Sequence, residues 1–170
     1  MIAILVCVLA GFYLYTLRKS SEALIRVECE NSKLVPQLAT SGSACFDLCA
    51  HLPHKPLRIK PGETKKIPTG LAMHIPHGME VVVRSRSGLT LKGIVVANSP
   101  GTIDSDYRKQ IFILLRNVGK ENFLVQNGMR VAQAGARCVP SVEWRVVSSI
   151  AASSRGGFGS TGLTTALQAS

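Results

Sequence analysis

GIVVANSPGTIDSDYRKQIFILLRN, from Gly93 to Asn117, is the stretch from which the rest of the chain can be read. Gly93 to Ala97 is a short apolar run of strand type. Asn98-Ser99-Pro100-Gly101 is a turn signal, because Pro presets φ and Gly accepts the positive φ that a type II turn requires. Ile111 to Leu115 is a second apolar run. The pattern predicts strand, tight turn, strand, with polar side chains crowded at the mouth.

That mouth carries three kinds of chemistry. Asp104 can hold a water, with Asp106 as its partner or merely solvated. Tyr107 offers a flat face to a sugar or base. Asn98 carries both a donor and an acceptor, enough to read an amide-like edge such as that of uracil. An Asp-rich loop around a packed Tyr would show the same spacing, so the stretch alone leaves both readings open.

Composition narrows the choice. The chain has 170 residues, 46% of them apolar, enough for one domain with a real core and a tail. Gly and Pro are spread throughout, as turns of an all-β fold require. A formal charge of +10 calls for an anionic partner. Long Lys/Arg blocks are absent and aromatics are few, which argues against stable nucleic-acid binding and for a compact phosphate ligand. Cys7, Cys29, Cys45, Cys49 and Cys138 are odd in number and form no C-x-x-C pair. They read as reduced, half-buried thiols of a reducing compartment, hence a cytoplasmic protein. His51, His54, His74 and His77 have no metal spacing and read as surface or turn residues.

Met1 to Leu17 is almost wholly apolar and is followed by Arg18 and Lys19. As a helix it would span roughly 25 Å at ~1.5 Å per residue, slightly short for a bilayer core. It lacks the charged start and cleavage site of a signal peptide. Residues 1–22 are therefore either an N-terminal extension or an uncleaved anchor that leaves the protein facing the cytoplasm. From Ala23 the sequence becomes that of a soluble domain. Strands are expected at Leu24–Cys29, Cys45–Ala50, Lys66–Ile75 with a bend at Thr69-Gly70, Glu80–Arg84, Asn122–Val125, Arg130–Ala134 and Val142–Val147. Pro53–Pro61 reads as a basic connection, and Leu89–Lys92 as a single helical turn. Many short strands between turn signals predict an all-β sandwich or barrel over 23–150. The Ser-, Gly- and Thr-rich segment 151–170 reads as a flexible tail.

Five stretches, taken in order, resemble the five motifs of the trimeric dUTP pyrophosphatase (dUTPase) family. They are Ala39–Ala50 with Asp47, Arg86-Ser87-Gly88-Leu89, Asn98 through Asp104 to Tyr107, Gly128–Gln133, and Arg155–Gly162. The resemblance implies a distorted jelly-roll β fold, a homotrimer whose active sites are shared among subunits, and Mg²⁺-assisted hydrolysis of dUTP to dUMP and pyrophosphate. It implies that Asp104 activates the attacking water and that Tyr107 stacks under the deoxyribose. Asn98 with Gly101, Thr102 and Ile103 would read uracil. Arg86, Ser87, Gly88 and Gln133 would bind phosphate, and Asp47 would touch the metal through water. Phe158 would cap the base as part of a C-terminal lid, with Arg155, Gly159 and Ser160 adding contacts.

The sequence departs from the family pattern at four places. Ser85 stands where Pro is frequent. The segment between Gly88 and Asn98 is short and lacks a His next to Lys92. The fifth motif is short between Arg155 and Gly157. Phe112 occupies a position where some relatives have a basic residue or Met. Two other readings compete. A dCTP deaminase of the same fold would need a Glu in the strand after the loop, and Gln110–Leu115 has no acid. A diverged, non-catalytic homologue would bind nucleotide or a protein partner.

Overall fold

The computed structural model describes residues 23–152. These fall into two units divided between Pro140 and Ser141. The first is built from eleven strands: β1 (Arg26–Cys29), β2 (Phe46–Cys49), β3 (Leu57–Ile59), β4 (Thr64–Pro68), β5 (Leu71–His74), β6 (Met79–Arg84), β7 (Ile94–Val96), β8 (Gly101–Ile103), β9 (Phe112–Asn117), β10 (Phe123–Val125) and β11 (Arg130–Cys138). One helical turn, α1 (Ser87–Thr90), follows β6.

All pairings are antiparallel. A four-stranded sheet runs β2-β11-β6-β8 and a three-stranded sheet runs β4-β9-β7, with β1-β5 and β10-β3 as separate pairs. Alternation is clean on β9, where Ile113, Leu115 and Asn117 are buried while Phe112, Leu114 and Arg116 face out. The core gathers Leu48, Ile59, Ile67, Leu71, Ile75, Val81, Ile94, Ile113, Leu115, Val125 and Val131. Burying each such side chain contributes about 1.5–3 kcal/mol against chain entropy. The expected all-β architecture is the observed one.

Several local expectations need correction. The Gly93–Ala97 and Ile111–Leu115 runs do pair, as β7 and β9, with Val96 opposite Leu115. Their connection is not a tight turn, because it leaves the sheet and lays β8 against β6. The chain thus turns a corner from one sheet to the other at Asn98–Pro100. Nor is the corner a type II turn: Ser99–Pro100 is cis and Gly101 does not have positive φ. Gly101 leaves room for the Asn98 side chain instead, since a Cβ there would stand 2.9 Å from Asn98 Nδ2 and the amide would have to shift. The Pro53–Pro61 connection contains β3, paired with β10; a three-residue strand between prolines gives too short a run to show periodicity. Val142–Val147 forms no strand, and Val142, Trp144 and Val146 are exposed. Its alternation is real, but a strand also needs a neighbouring edge to pair with.

The break at Thr69-Gly70 is as expected and separates β4 from β5, which belong to different sheets. Gly70 has φ +66°, and a Cβ there would stand 2.6 Å from His51 Nδ1. Buried Thr69 donates through Oγ1 to Ile111 O at 2.7 Å and accepts from Leu71 N at 3.2 Å. Cys29, Cys45 and Cys49 are free and half-buried; Cys138 is free but exposed, contrary to the expectation of burial. Met1–Leu17, like the tail from Ser153, lies outside the described residues. Among those described, no helix is long and apolar enough to cross a membrane.

Candidate active site

Polar residues from three strands and α1 meet at the end of β6. On β2, Asp47 lies opposite Gln133 of β11, which lies opposite Arg84 of β6. Asp47 Oδ1 accepts from Arg86 Nε at 2.8 Å, and its Oδ2 is 3.6 Å from Arg130 Nη1. Arg86 Nη1 also donates to Arg130 O at 3.2 Å, and Gln133 Nε2 donates to Ser85 O at 2.8 Å.

A β-bulge makes this cluster possible. Arg130 and Gln133 are an odd number of residues apart, so strict alternation would send them to opposite faces. The register shifts between Arg130 and Ala132, and Val131 is the extra residue. Both side chains thereby reach the face of Asp47. Sequence reading quoted Arg130 within its motif but gave it no role; a bulge leaves no periodic signal to read.

Arg86 precedes α1 with an extended backbone, and its carbonyl accepts from Leu89 N and Thr90 N, both at 3.0 Å. Buried Leu89 pins the turn, leaving Ser87 and Gly88 exposed in front of it. The Ser85 departure has a structural account. Ser85 N donates to Ser99 Oγ at 3.3 Å, and Ser85 Oγ accepts from Val96 N at 2.8 Å. A proline could make neither bond. These bonds tie the Arg86–Leu89 turn to the Asn98–Gly101 corner.

The corner leads into β8, an edge strand among the described residues. Backbone groups of Gly101–Ile103 that face away from β6 have no strand partner among the described residues. Asp104 follows directly and is exposed. Asp104 O accepts from Tyr107 N at 3.1 Å, closing a turn that carries both side chains. Tyr107 OH donates to Gln110 O at 2.9 Å, and the residue is 39% exposed, so it is a surface aromatic held in place rather than a core residue. A shallow depression of about 200 Å³ is lined by Thr102, Ile103, Asp104, Tyr107, Ile111 and Phe112. Phe112 carries Lys66 Nζ 3.8 Å from its ring centroid.

The structure brings Asp47, Arg86 and Gln133 together, and separately Asp104, Tyr107 and the backbone of Thr102 and Ile103. It does not bring the two groups together. β8 runs antiparallel to β6, with Gly101 opposite Val83 and Ile103 opposite Val81. Asp104 thus lies beside the start of β6 and Arg86 beyond its end, on the order of 20 Å apart along the strand at ~3.3 Å per residue. Arg155, Phe158, Gly159 and Ser160 lie outside the described residues.

One ionisable group in the cluster is clearly perturbed. Burial pushes the Cys49 thiol above its usual range; Asp47 adds to the rise, and Arg130 and Arg86 oppose it. No group of three or more metal-ligating side chains occurs among the described residues.

Comparison with known proteins gives this arrangement its family. The dUTPase family model matches residues 31–162. The chain belongs to the dUTPase family. Among curated dUTPases (deoxyuridine 5'-triphosphate nucleotidohydrolases), that of Chlamydia caviae is 47% identical over 79% of this chain and 95% of its own length. The dUTPase of Rickettsia felis is 48% identical over 76% of this chain and 88% of its own. Among solved structures, the dUTPase of Staphylococcus bacteriophage 80alpha with dUpNHpp superposes with a TM-score of 0.73 at 22% identity, covering 82% of this chain and 99% of that one. A mutant dUTPase from phage phi11 of S. aureus, described for the coordination of a structural Mg(II) ion, gives 0.67 at 18% identity, covering 76% and 99%. At these identities the phage proteins speak for the fold, and the bacterial relatives for the family. The matched range spans both groups of residues described above.

Proposed function

We propose that this chain hydrolyses dUTP to dUMP and pyrophosphate, with Asp104 as the carboxylate that holds and activates the attacking water. The observation that carries the assignment is the placement of Asp104: exposed, next to the open edge of β8, and in one turn with a held Tyr107. In the reaction the water oxygen forms a bond to the α-phosphorus and its proton passes to Asp104. The bond from that phosphorus to the bridging oxygen breaks, and pyrophosphate leaves. A metal-bound triphosphate is already activated, so orienting the water is most of the task.

The open backbone of Gly101–Ile103 and the Asn98 amide read the uracil edge. Base pairing to fixed groups rejects cytosine, which would leave buried donors and acceptors unmatched. The Tyr107 ring lies under the sugar and leaves no room for a 2′-hydroxyl. Arg86, Ser87, Gly88 and Gln133 hold phosphate oxygens; the guanidinium brings charge, and Gly88 lets the backbone come close.

A single carboxylate, already engaged by Arg86, is not a metal cage. It suits Mg²⁺ held by the triphosphate and touched by Asp47 through water, which is how Mg²⁺ is commonly bound. When present, the ion would neutralise phosphate charge.

The separation of Asp104 from Arg86 is longer than a triphosphate, which supports a homotrimer with each site shared between subunits. One chain supplies the Asp104 group and a neighbour the Arg86 group, in a closed head-to-tail ring. Residues 151–170, with Arg155, Phe158, Gly159 and Ser160, are assigned to the lid over the bound nucleotide.

The test is pyrophosphate release from dUTP, UTP, dCTP and dTTP by the full chain and by Asp104→Asn. The wild type should prefer dUTP, and the variant should lose about 10²–10⁴ in rate, the usual contribution of a general base. Normal turnover by the variant would remove Asp104 from its role.

A further inference from the structure

The loop from Asp104 to Ile111 has little internal bonding. Apart from the turn at Tyr107, it is braced by Arg108 Nη1 donating to Ser105 O and Tyr107 O. Its far end is fixed to the β4–β5 break, where Ile111 N donates to Leu71 O at 2.7 Å and Thr69 N to Ile111 O at 3.3 Å. Between these points, Gln110 Nε2 donates to Glu30 Oε1 at 2.7 Å. Glu30 is itself held twice. Its N–H donates to Gly70 O at 3.0 Å, and its second carboxylate oxygen, Oε2, is 3.1 Å from His51 Nδ1.

The His51 side chain is 13% exposed and that of Glu30 57%, so one end of the pair is anchored and the other reaches outward. His51, expected as a surface or turn residue, lies in the connection after β2 with its side chain mostly buried. Its ring occupies the space left by the missing Cβ of Gly70, and its N–H donates to Pro68 O at 2.8 Å. A continuous chain of contacts runs His51–Glu30–Gln110–Tyr107, because Tyr107 OH rests on the carbonyl of the same Gln110.

We propose that Glu30 is a positioning residue for this reaction: through Gln110 it fixes the loop and so sets the Tyr107 ring against the sugar. The functional half of this proposal rests on the reading of Tyr107 given above. With the Glu30 carboxylate 57% exposed, these contacts add little to global stability. What this one contributes is geometry, since each carboxylate oxygen has a separate partner on a separate segment. A shift of the loop would move Tyr107 and leave the Arg86 cluster where it is.

The experiment compares the full chain with Glu30→Ala and Glu30→Gln by two independent readouts. The first is hydrogen exchange at the Tyr107 and Ile111 amides without nucleotide. Glu30→Ala should speed exchange there by about tenfold, as local opening becomes easier, while the melting temperature stays within about 2 °C. The second is steady-state kinetics: KM for dUTP should rise about fivefold and the preference for dUTP over UTP should shrink, with kcat within about twofold, the signature of lost binding geometry. Glu30→Gln, whose amide can accept from Gln110 and donate to His51, should restore both. Unchanged exchange in Glu30→Ala overturns the proposal, and so does faster exchange with unchanged KM and sugar preference. A wild type that turns over UTP as well as dUTP refutes the Tyr107 reading instead, and the exchange measurement still decides whether Glu30 holds the loop.

Discussion

Arg86 Nε and Asp47 Oδ1 are 2.8 Å apart, so the guanidinium assigned to phosphate and the carboxylate assigned to the metal ion's water shell satisfy each other. A magnesium triphosphate brings a compensating charge to each partner, and the pair can loosen without leaving either charge alone. Asp47→Asn should therefore weaken Mg²⁺ dependence more than folding. The Mg²⁺ concentration for half-maximal rate should rise about tenfold or more, as for other groups that act on a metal through an intermediary. A magnesium titration of initial rates checks this; an unchanged midpoint removes Asp47 from the metal's surroundings.

The same carboxylate reports on itself through a thiol. Burial first, and Asp47 second, hold Cys49 above the ordinary thiol range against the pull of Arg130 and Arg86. Iodoacetamide near neutral pH should modify exposed Cys138 well before Cys49, because the thiolate is the reacting form. Asp47→Asn removes one raising cause and leaves both arginines, so Cys49 should react faster in that variant. The raised value also sets a sign for stability. The contribution of Cys49 is complete below the ordinary thiol pKa and is lost as pH rises from there through the folded-state value. Mass spectrometry of timed alkylation is the direct measurement.

Gly101→Ala tests the corner between the sheets. Its Cβ would press on Asn98 Nδ2 at 2.9 Å, and Gly101 is buried opposite Val83. The cost should be about 1–3 kcal/mol of overpacking, seen as a lower melting temperature. Displacing Asn98 should also raise KM for dUTP. A variant with wild-type KM would argue that Asn98 does not read the base.

Sharing of sites between subunits predicts complementation. Asp104→Asn and Arg86→Ala should each be nearly inactive alone. Mixed and reassembled, they should regain activity, since a neighbour pair can then supply one intact Asp104 and one intact Arg86. Light scattering should show three chains. Absence of recovery in verified mixed trimers would place both groups of residues in one chain's site.

The tail assignment has a separate check. The segment from Ala151 is rich in Ser, Gly and Thr and poor in large apolar residues, so it should add little to folding stability. Truncation after Ile150 should leave the melting temperature unchanged and lower kcat strongly, and Phe158→Ala should do part of the same. Normal turnover by the truncated chain would rule out the lid.

What the sequence determined by itself was the class of fold and the identity of the motifs. The strand-type runs at Gly93–Ala97 and Ile111–Leu115, the glycine at the β4–β5 break and the crowd of polar residues from Asn98 to Tyr107 are local signals, and each survives in the structure. Tertiary structure alone decided what depends on pairing partners. The run at Leu57–Ile59 becomes a strand because β10 lies beside it, and the alternating Val142–Val147 does not become one. Arg130 reaches Asp47 because a bulge at Val131 changes its face, and β8 joins β6 instead of folding back on β7. The antiparallel run of β8 along β6 sets Asp104 apart from Arg86. Hydrogen-bond partners distant in the chain fix these features, and a one-dimensional pattern of residue types does not record which edge a strand will meet.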